Sequence, residues 1–250
     1  MAPTYSERKS LYARQWASMK IEVSAPVTKA AQKLLASKAR YQAVAAKVGV
    51  PWFWVACIHW RESSGDFRGI LHNGQRIIGT GKKTTIVPKG RGPFSSWEQA
   101  AIDAMTTSPH DMRKVDIDCV ERFAYEAEKW NGWGYAMYHP ANPSPYLWSY
   151  TSVYRGGKYV ADGKWNAGVR DAQIGVMALL KRMMELDPSI SFDAPTQSLP
   201  PDIPAEHDPG IDTPPEVVPP SADKGVGLLL GIIILTFITA AVVLVGRLLH

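Results

Sequence analysis

The sequence predicts a mainly helical α+β protein: a helical domain over residues 1–192 with a small β-hairpin wing, then a Pro-rich acidic linker at 193–224 and one transmembrane helix at 225–246. Three observations carry this reading. Apolar residues recur at helical spacing through most of the first 190 positions. An Asn73-Gly74 pair flanked by short β-type runs marks a tight hairpin. Residues 225–246 (GVGLLLGIIILTFITAAVVLVG) hold no charge, and at about 1.5 Å per residue they span a hydrocarbon core of roughly 30 Å.

The elements follow in chain order. Residues 3–24 read as a helical arm whose apolar stripe is Leu11, Tyr12, Trp16 and Met19, and residues 25–49 as a second helix built on Leu34, Leu35, Tyr41, Val44, Ala45 and Val48, stopped by Gly49. Residues 51–63 (PWFWVACIHWRES) read as one buried helix, with Pro51 fitting its first turn and Gly65 its end. Then the period changes. The runs 70–72 and 75–78 flank Asn73-Gly74, and Thr84–Val87 adds a third strand ending at Pro88. Helix returns in WEQAAIDAMTT after Ser95 and Ser96, and in DCVERFAYEAEKW. The 36 residues Trp130–Trp165 contain ten Trp and Tyr among interleaved Gly, Asn and Pro, so they are loop-rich, with most rings in the core and a few free to line a groove. A last helix is expected over Val169–Leu186, with Ile174, Met177, Ala178, Leu180 and Met184 facing inward.

Charge divides the chain in two. Residues 193–223 hold seven acids, no Lys or Arg, and nine of the 19 prolines, and should form an extended tether. The first 192 residues keep 26 of the 28 Lys and Arg but 16 of the 23 Asp and Glu, a net of about +10. A basic domain of this kind suits a polyanion: nucleic acid, anionic lipid or a cell-wall polymer. No compact basic cluster or nucleic-acid motif is present, so no nucleic-acid partner is expected. Gly227 and Gly231 form a GxxxG pair in the apolar segment. No cleavable N-terminal signal is recognised, so the chain is expected to be made in the cytoplasm, with Cys57 and Cys119 as buried free thiols. The six histidines are scattered without an HExxH pair, so no metal and no cofactor is expected. Cys57 and His59, two apart on one helix, point in different directions and read as core rather than as a nucleophile pair.

The residue that stands out is Glu62. Counting back by helical steps reaches His59, Ile58, Val55 and Trp54, so a carboxylate ends an apolar helix face. Desolvation and the negative end of the helix dipole both raise its pKa, the tuning a general acid needs at neutral pH. The alternatives are that Glu62 caps a solvated helix end or pairs with Arg61. A two-carboxylate glycosidase would need a second acid across the cleft, yet no Asp or Glu lies between Phe67 and Trp97. Thr84 and Thr85 are the polar side chains of that stretch which could face the cleft.

HWRESSGDF (59–67) resembles the Glu-Ser motif of goose-type lysozymes and soluble lytic transglycosylases. ERFAYEAEKWNGWGY (121–135) and SPYLWSYTSVYRGGKYVADGKW (144–165) look like phage and prophage endolysins of the lysozyme-like superfamily, some of which end in a membrane segment. The resemblance spans roughly residues 45–190. It implies a lysozyme-like domain that cuts the glycan of peptidoglycan between N-acetylmuramic acid and N-acetylglucosamine in host cell lysis, with Glu62 as proton donor, Ser63 supporting the reacting sugar, and Asn131 with Tyr135 lining the cleft. The hairpin starting at Asn73 would form one wall, with Thr84 holding a water, and the Asn131–Trp148 loops, including Tyr146 and Trp148, the other. The hairpin aspartate of phage-type muramidases has no counterpart here. Two routes therefore stay open: hydrolysis, or a lytic transglycosylase reaction in which the sugar's own 6-hydroxyl attacks. The partners implied are peptidoglycan, the bacterial inner membrane through a single C-terminal anchor, and a holin-type membrane protein that would let the domain reach the periplasmic wall. A membrane-tethered, non-catalytic wall-binding protein fits the same features, whereas one span behind a folded domain makes a poor pore former.

Overall fold

A computed structural model describes residues 1–107, 109–161 and 163–192; the linker and apolar segment expected at 193–246 lie outside the described residues. The fold is mainly helical with one two-stranded sheet. The helices are α1 (Tyr5–Ser18), α2 (Ser24–Ala36), α3 (Lys38–Val48), α4 (Trp52–Ser63), α5 (Trp97–Thr106), α6 (Val120–Asn131), α7 (Gly134–Tyr138), α8 (Pro145–Trp148) and α9 (Val176–Leu186), and strands β1 (Lys158–Ala161) and β2 (Lys164–Asn166) pair antiparallel before α9. Among the described residues no single helix is long and apolar enough to cross a membrane.

The apolar run of α4 dictates the architecture. Phe53 through Ile58 and His59 are all buried, so this helix is hydrophobic around most of its circumference and must be wrapped on every side. α2, α3 and α9 pack against it. Gly49 ends α3 in a left-handed conformation (φ +88°), and the chain turns through 110° into α4, with Pro51 at the helix N-cap. The single helix expected over 25–49 is in fact two, broken at Ser37. The break lets α2 lie on α9 while α3 turns to pack on α4 and α5.

α1 is fixed at both ends of its argument. Thr4 and Glu7 form a reciprocal capping box, and Arg8 and the Tyr12 hydroxyl both bond the carboxylate of Glu128, which is only 1% exposed on α6. A buried carboxylate with two donors locks the helix pair in register.

The predicted hairpin wing is corrected. Residues 70–78 and 84–87 form no strands; one isolated bridge, Gly69 to Arg76, is all the ladder there is. The Asn73-Gly74 turn does form, with Gly74 at φ +73°, but side chains take over from the ladder. Asn73 Nδ2 donates to the carbonyls of Ile86 and Val87, and Gln75 Oε1 accepts from the amides of Thr85 and Ile86. The result is an ordered loop folded over α5, with its own small core of Ile70, Ile77, Phe94 and Ala100. The sheet lies instead at 158–166, in the stretch read as loops. The last helix is shorter than expected: residues 169–175 run irregularly into α9, and Met184 is only partly buried. Both cysteines are free thiols; Cys57 is buried as expected, but Cys119 is half-buried, its sulfur 3.3 Å from the Tyr5 hydroxyl.

Candidate functional site

Glu62 sits in the last turn of α4. That turn is terminated by Ser64 in the left-handed region (φ +55°), whose amide donates to the Trp60 carbonyl at 2.8 Å. His59 braces the same end from within. The Asp66 carbonyl, 3.1 Å from its Nε2, can only accept, so Nε2 carries the proton and Nδ1 accepts from the Tyr41 hydroxyl at 2.9 Å. Burial lowers the imidazole pKa to about 4, which keeps it neutral. His59 is therefore a satisfied core residue that holds the helix end in place.

Across from this end, two donors converge on a single oxygen. Trp130 Nε1, on α6, donates to Glu62 Oε1 at 3.2 Å, and the Tyr146 hydroxyl, on α8, donates to the same atom at 3.0 Å. Both rings are buried, Trp130 between Trp54 and His110, which stacks on it at 4.4 Å. Glu62 as a residue is half-buried, with its carboxyl held against Trp130 and Tyr146. Desolvation pushes that carboxyl up to about 7, against the opposing pull of Tyr146, Arg61 and Trp130. Around neutral pH the group is thus divided between acid and carboxylate.

Arg61 does not pair with Glu62. Its guanidinium turns to Asp171 at 3.0 Å and to the Gln173 carbonyl at 3.2 Å, and lies 4.7 Å from the centre of the Tyr146 ring. Lys158 closes the cluster on Asp171 at 2.9 Å. Burial would raise the Asp171 carboxyl, but Arg61 and Lys158 outweigh it and hold it below the ordinary aspartate range. The charged cluster therefore stands behind Tyr146, and Glu62 itself makes no ion pair among the described residues.

The other expected site residues divide. Tyr146 is where a site residue should be, but it is buried and serves as a donor to Glu62 rather than as a surface that lines a groove. Trp148 is 1% exposed in the main core, and Thr84 is 4% exposed with its hydroxyl bonded to the Pro88 carbonyl and the Arg91 amide. Both are thus packed inside the fold here, with the Thr84 hydroxyl already hydrogen-bonded, rather than on an open surface. Ser63 is half-buried, its hydroxyl turned back to the Asp66 carbonyl at 3.1 Å. Asn73 is spent on the loop, yet its neighbour Gly74 touches the site: a Cβ on Gly74 would lie 2.6 Å from the Glu62 carbonyl oxygen. Asn131 ends α6 half-buried, directly after Trp130. Tyr135 packs with Tyr159 and Trp165, its hydroxyl accepting from the Tyr159 amide at 3.2 Å.

Trp130, Arg61 and Asp171 are the site residues that sequence reasoning missed. Trp130 lies 68 positions and Asp171 more than 100 from the residues they serve, and no local pattern encodes such contacts. Among the described residues, no group of three or more His, Cys, Asp or Glu could hold a metal ion. Comparison with protein-family models, curated proteins and solved structures finds no match to this chain.

Proposed function

We propose that the protein is a glycosidase that cleaves the glycan strand of peptidoglycan between N-acetylmuramic acid and N-acetylglucosamine, with Glu62 as the general acid. The observation that carries this reading is the Glu62 carboxyl, raised to about 7 by burial and oriented through one oxygen by Trp130 and Tyr146. A carboxyl that stays protonated near neutrality can give its proton to the glycosidic oxygen as the C1–O bond breaks. The two donors then stabilise the carboxylate it leaves behind. Each is worth more at that moment than before it, because a hydrogen bond to a charged acceptor is the stronger one.

The sequence resemblance at 59–67 supplies the substrate class, and the basic domain suits an anionic wall polymer. Asp66, the nearest acid in sequence, is tied to Arg68 and Arg76 and held at about 2, chiefly by the Arg68 hydrogen bond, so it remains charged and engaged elsewhere. With no second carboxylate assigned, the oxocarbenium-like centre is quenched either by water or by the sugar's own 6-hydroxyl, the latter leaving a 1,6-anhydro end. The apolar segment at 225–246 would anchor the enzyme in the bacterial inner membrane, with a holin-type partner giving access to the wall. Zymography on purified wall tests the assignment: Glu62→Gln should lose at least 100-fold in lysis, and full lysis by this variant would overturn it. Mass spectrometry of the products separates reducing from anhydro ends.

A further inference from the structure

Behind the Glu62 turn lies a second feature that the reaction does not use. Two recesses, of about 570 and 590 Å³, flank the C-terminal end of α4 and meet at Lys33 and Ser64, which line both. Trp60 lies two residues before Glu62 on α4, about 200° round the helix, and Glu62 lines neither recess, so the cleft is separate from the reacting carboxyl.

Its chemistry is cationic and aromatic. Lys33 is held at the junction by one neutral bond, Nζ to the Ser64 carbonyl at 2.9 Å, over the Trp60 ring at 5.9 Å. A carbonyl orients an ammonium without neutralising it. Lys29, one turn earlier on α2, is exposed, lines the same recess and makes no ion pair among the described residues. The bordering acid, Asp66, is already taken by Arg68 and Arg76. Tyr150 forms part of the wall, and its backbone is strained to place it there. It is a non-glycine residue at φ +68°, pinned by its carbonyl accepting from the Glu22 amide and its hydroxyl donating to the Ala172 carbonyl. Strain of about 1–3 kcal/mol persists only where the surroundings enforce it, and such residues concentrate at binding and catalytic positions.

We propose that this cleft binds a carboxylate-bearing peptide, whose anionic groups sit on Lys33 and Lys29 and whose apolar part lies on Trp60 and Tyr150. A phosphate polymer fits less well. Arg68 spends its fork on Asp66 and Arg76 pairs with the same carboxylate, the cations of the aromatic recess are Lys29 and Lys33, and much of that recess is walled by rings and aliphatic carbons. Resting on the glycosidase reading, the occupant is the peptide branch of the same wall polymer, reaching round the end of α4 while the glycan is cut at Glu62.

Calorimetric titration of the full-length protein in mild detergent tests this, with a muramyl dipeptide bearing free carboxylates, its carboxamide analogue, uncharged chitohexaose, and a glycerol-phosphate polymer as probes. The acidic muramyl peptide should bind at least tenfold more tightly than its carboxamide. Lys33→Glu should remove that difference, and Lys29→Glu should weaken it about threefold, while chitohexaose affinity stays unchanged in both. Equal affinity for acid and carboxamide, an unaltered Lys33→Glu variant, or a preference for the phosphate polymer would each overturn the proposal. Should Lys33→Glu fold poorly by circular dichroism, Lys29→Glu, at an exposed position, decides alone. The two readings also fail separately. Wall lysis by Glu62→Gln removes the glycosidase assignment and leaves a Lys33-dependent peptide site standing, whereas Lys33-independent binding removes the peptide site only.

Discussion

At Glu62, desolvation and hydrogen bonding pull in opposite directions, and each can be tested alone. Tyr146→Phe deletes a donor to the charged form. A hydrogen bond to a charged group is worth about 1.5–3 kcal/mol and one pKa unit about 1.4 kcal/mol, so the carboxyl should rise by about one unit. A general acid works when protonated, so activity falls as pH rises through its pKa. The alkaline limb of a wall-lysis pH profile should therefore move up by about one pH unit in Tyr146→Phe, with Trp130→Phe moving it the same way. Stability follows the same sign. The folded carboxyl titrates near 7 and the unfolded one near 4.5, so the penalty for ionising it inside the fold is absent below 4.5 and complete above 7. Glu62→Gln should consequently gain about 2–3 kcal/mol relative to wild type at pH 8 but little at pH 4.5, as read by thermal or urea unfolding at the two pH values. At this scale the sequence was informative where a residue contradicted its own neighbours: a carboxylate on an apolar helix face announces itself. It was silent where the meaning lies in a contact, as with Trp130 or Asp171, because one Trp among ten aromatics in 36 residues carries no mark of the oxygen it points to.

At the scale of elements, the decisive contact is backbone on backbone. Gly74 holds a positive φ of 73° beside the Glu62 carbonyl, and a methyl group there would approach its oxygen to 2.6 Å. Gly74→Ala should cost about 1–3 kcal/mol through left-handed strain and overlap combined, and should lower wall lysis by displacing the turn that carries Glu62. A drop in melting temperature together with that loss would be the expected result. The long helices were legible because packing and period agree. The β-branched runs at 70–72, 75–78 and 84–87 and the Asn-Gly turn predict strands, but the polar ends of Asn73 and Gln75 compete for the carbonyls and amides that a ladder would need. The runs YVA and KW, which pair as β1 and β2, carry a hairpin-type Asp-Gly dipeptide between them in the sequence, but the surrounding Gly, Asn, Pro and aromatic residues conceal it. Gly157 explains one of those rings, since a Cβ there would lie 2.2 Å from Trp165.

For the whole molecule, the arrangement is a basic helical domain wrapped around α4, with a proline-rich acidic stretch and an apolar segment following it in sequence. If 225–246 is the proposed anchor, a charge at its centre should release it. Ile234→Arg adds about 2.5–3.5 kcal/mol to insertion and should shift the full-length chain from the membrane fraction toward the soluble one, without altering lysis of isolated wall. The fold class and the central helix were readable because a buried helix imposes its hydrophobic character on the local sequence. The surroundings of the Glu62 carboxyl were not, because they are assembled from α4, α6 and α8, which meet only in three dimensions. The central claim is that Glu62 is the proton donor of a wall glycosidase, and release of glycan fragments from purified peptidoglycan by full-length wild type and Glu62→Gln, compared at pH 6 with folding matched by circular dichroism, tests it most directly. Fragments carrying newly cut ends from the wild type and at least 100-fold fewer from the variant are expected; equal release from both, or none from either, would contradict it.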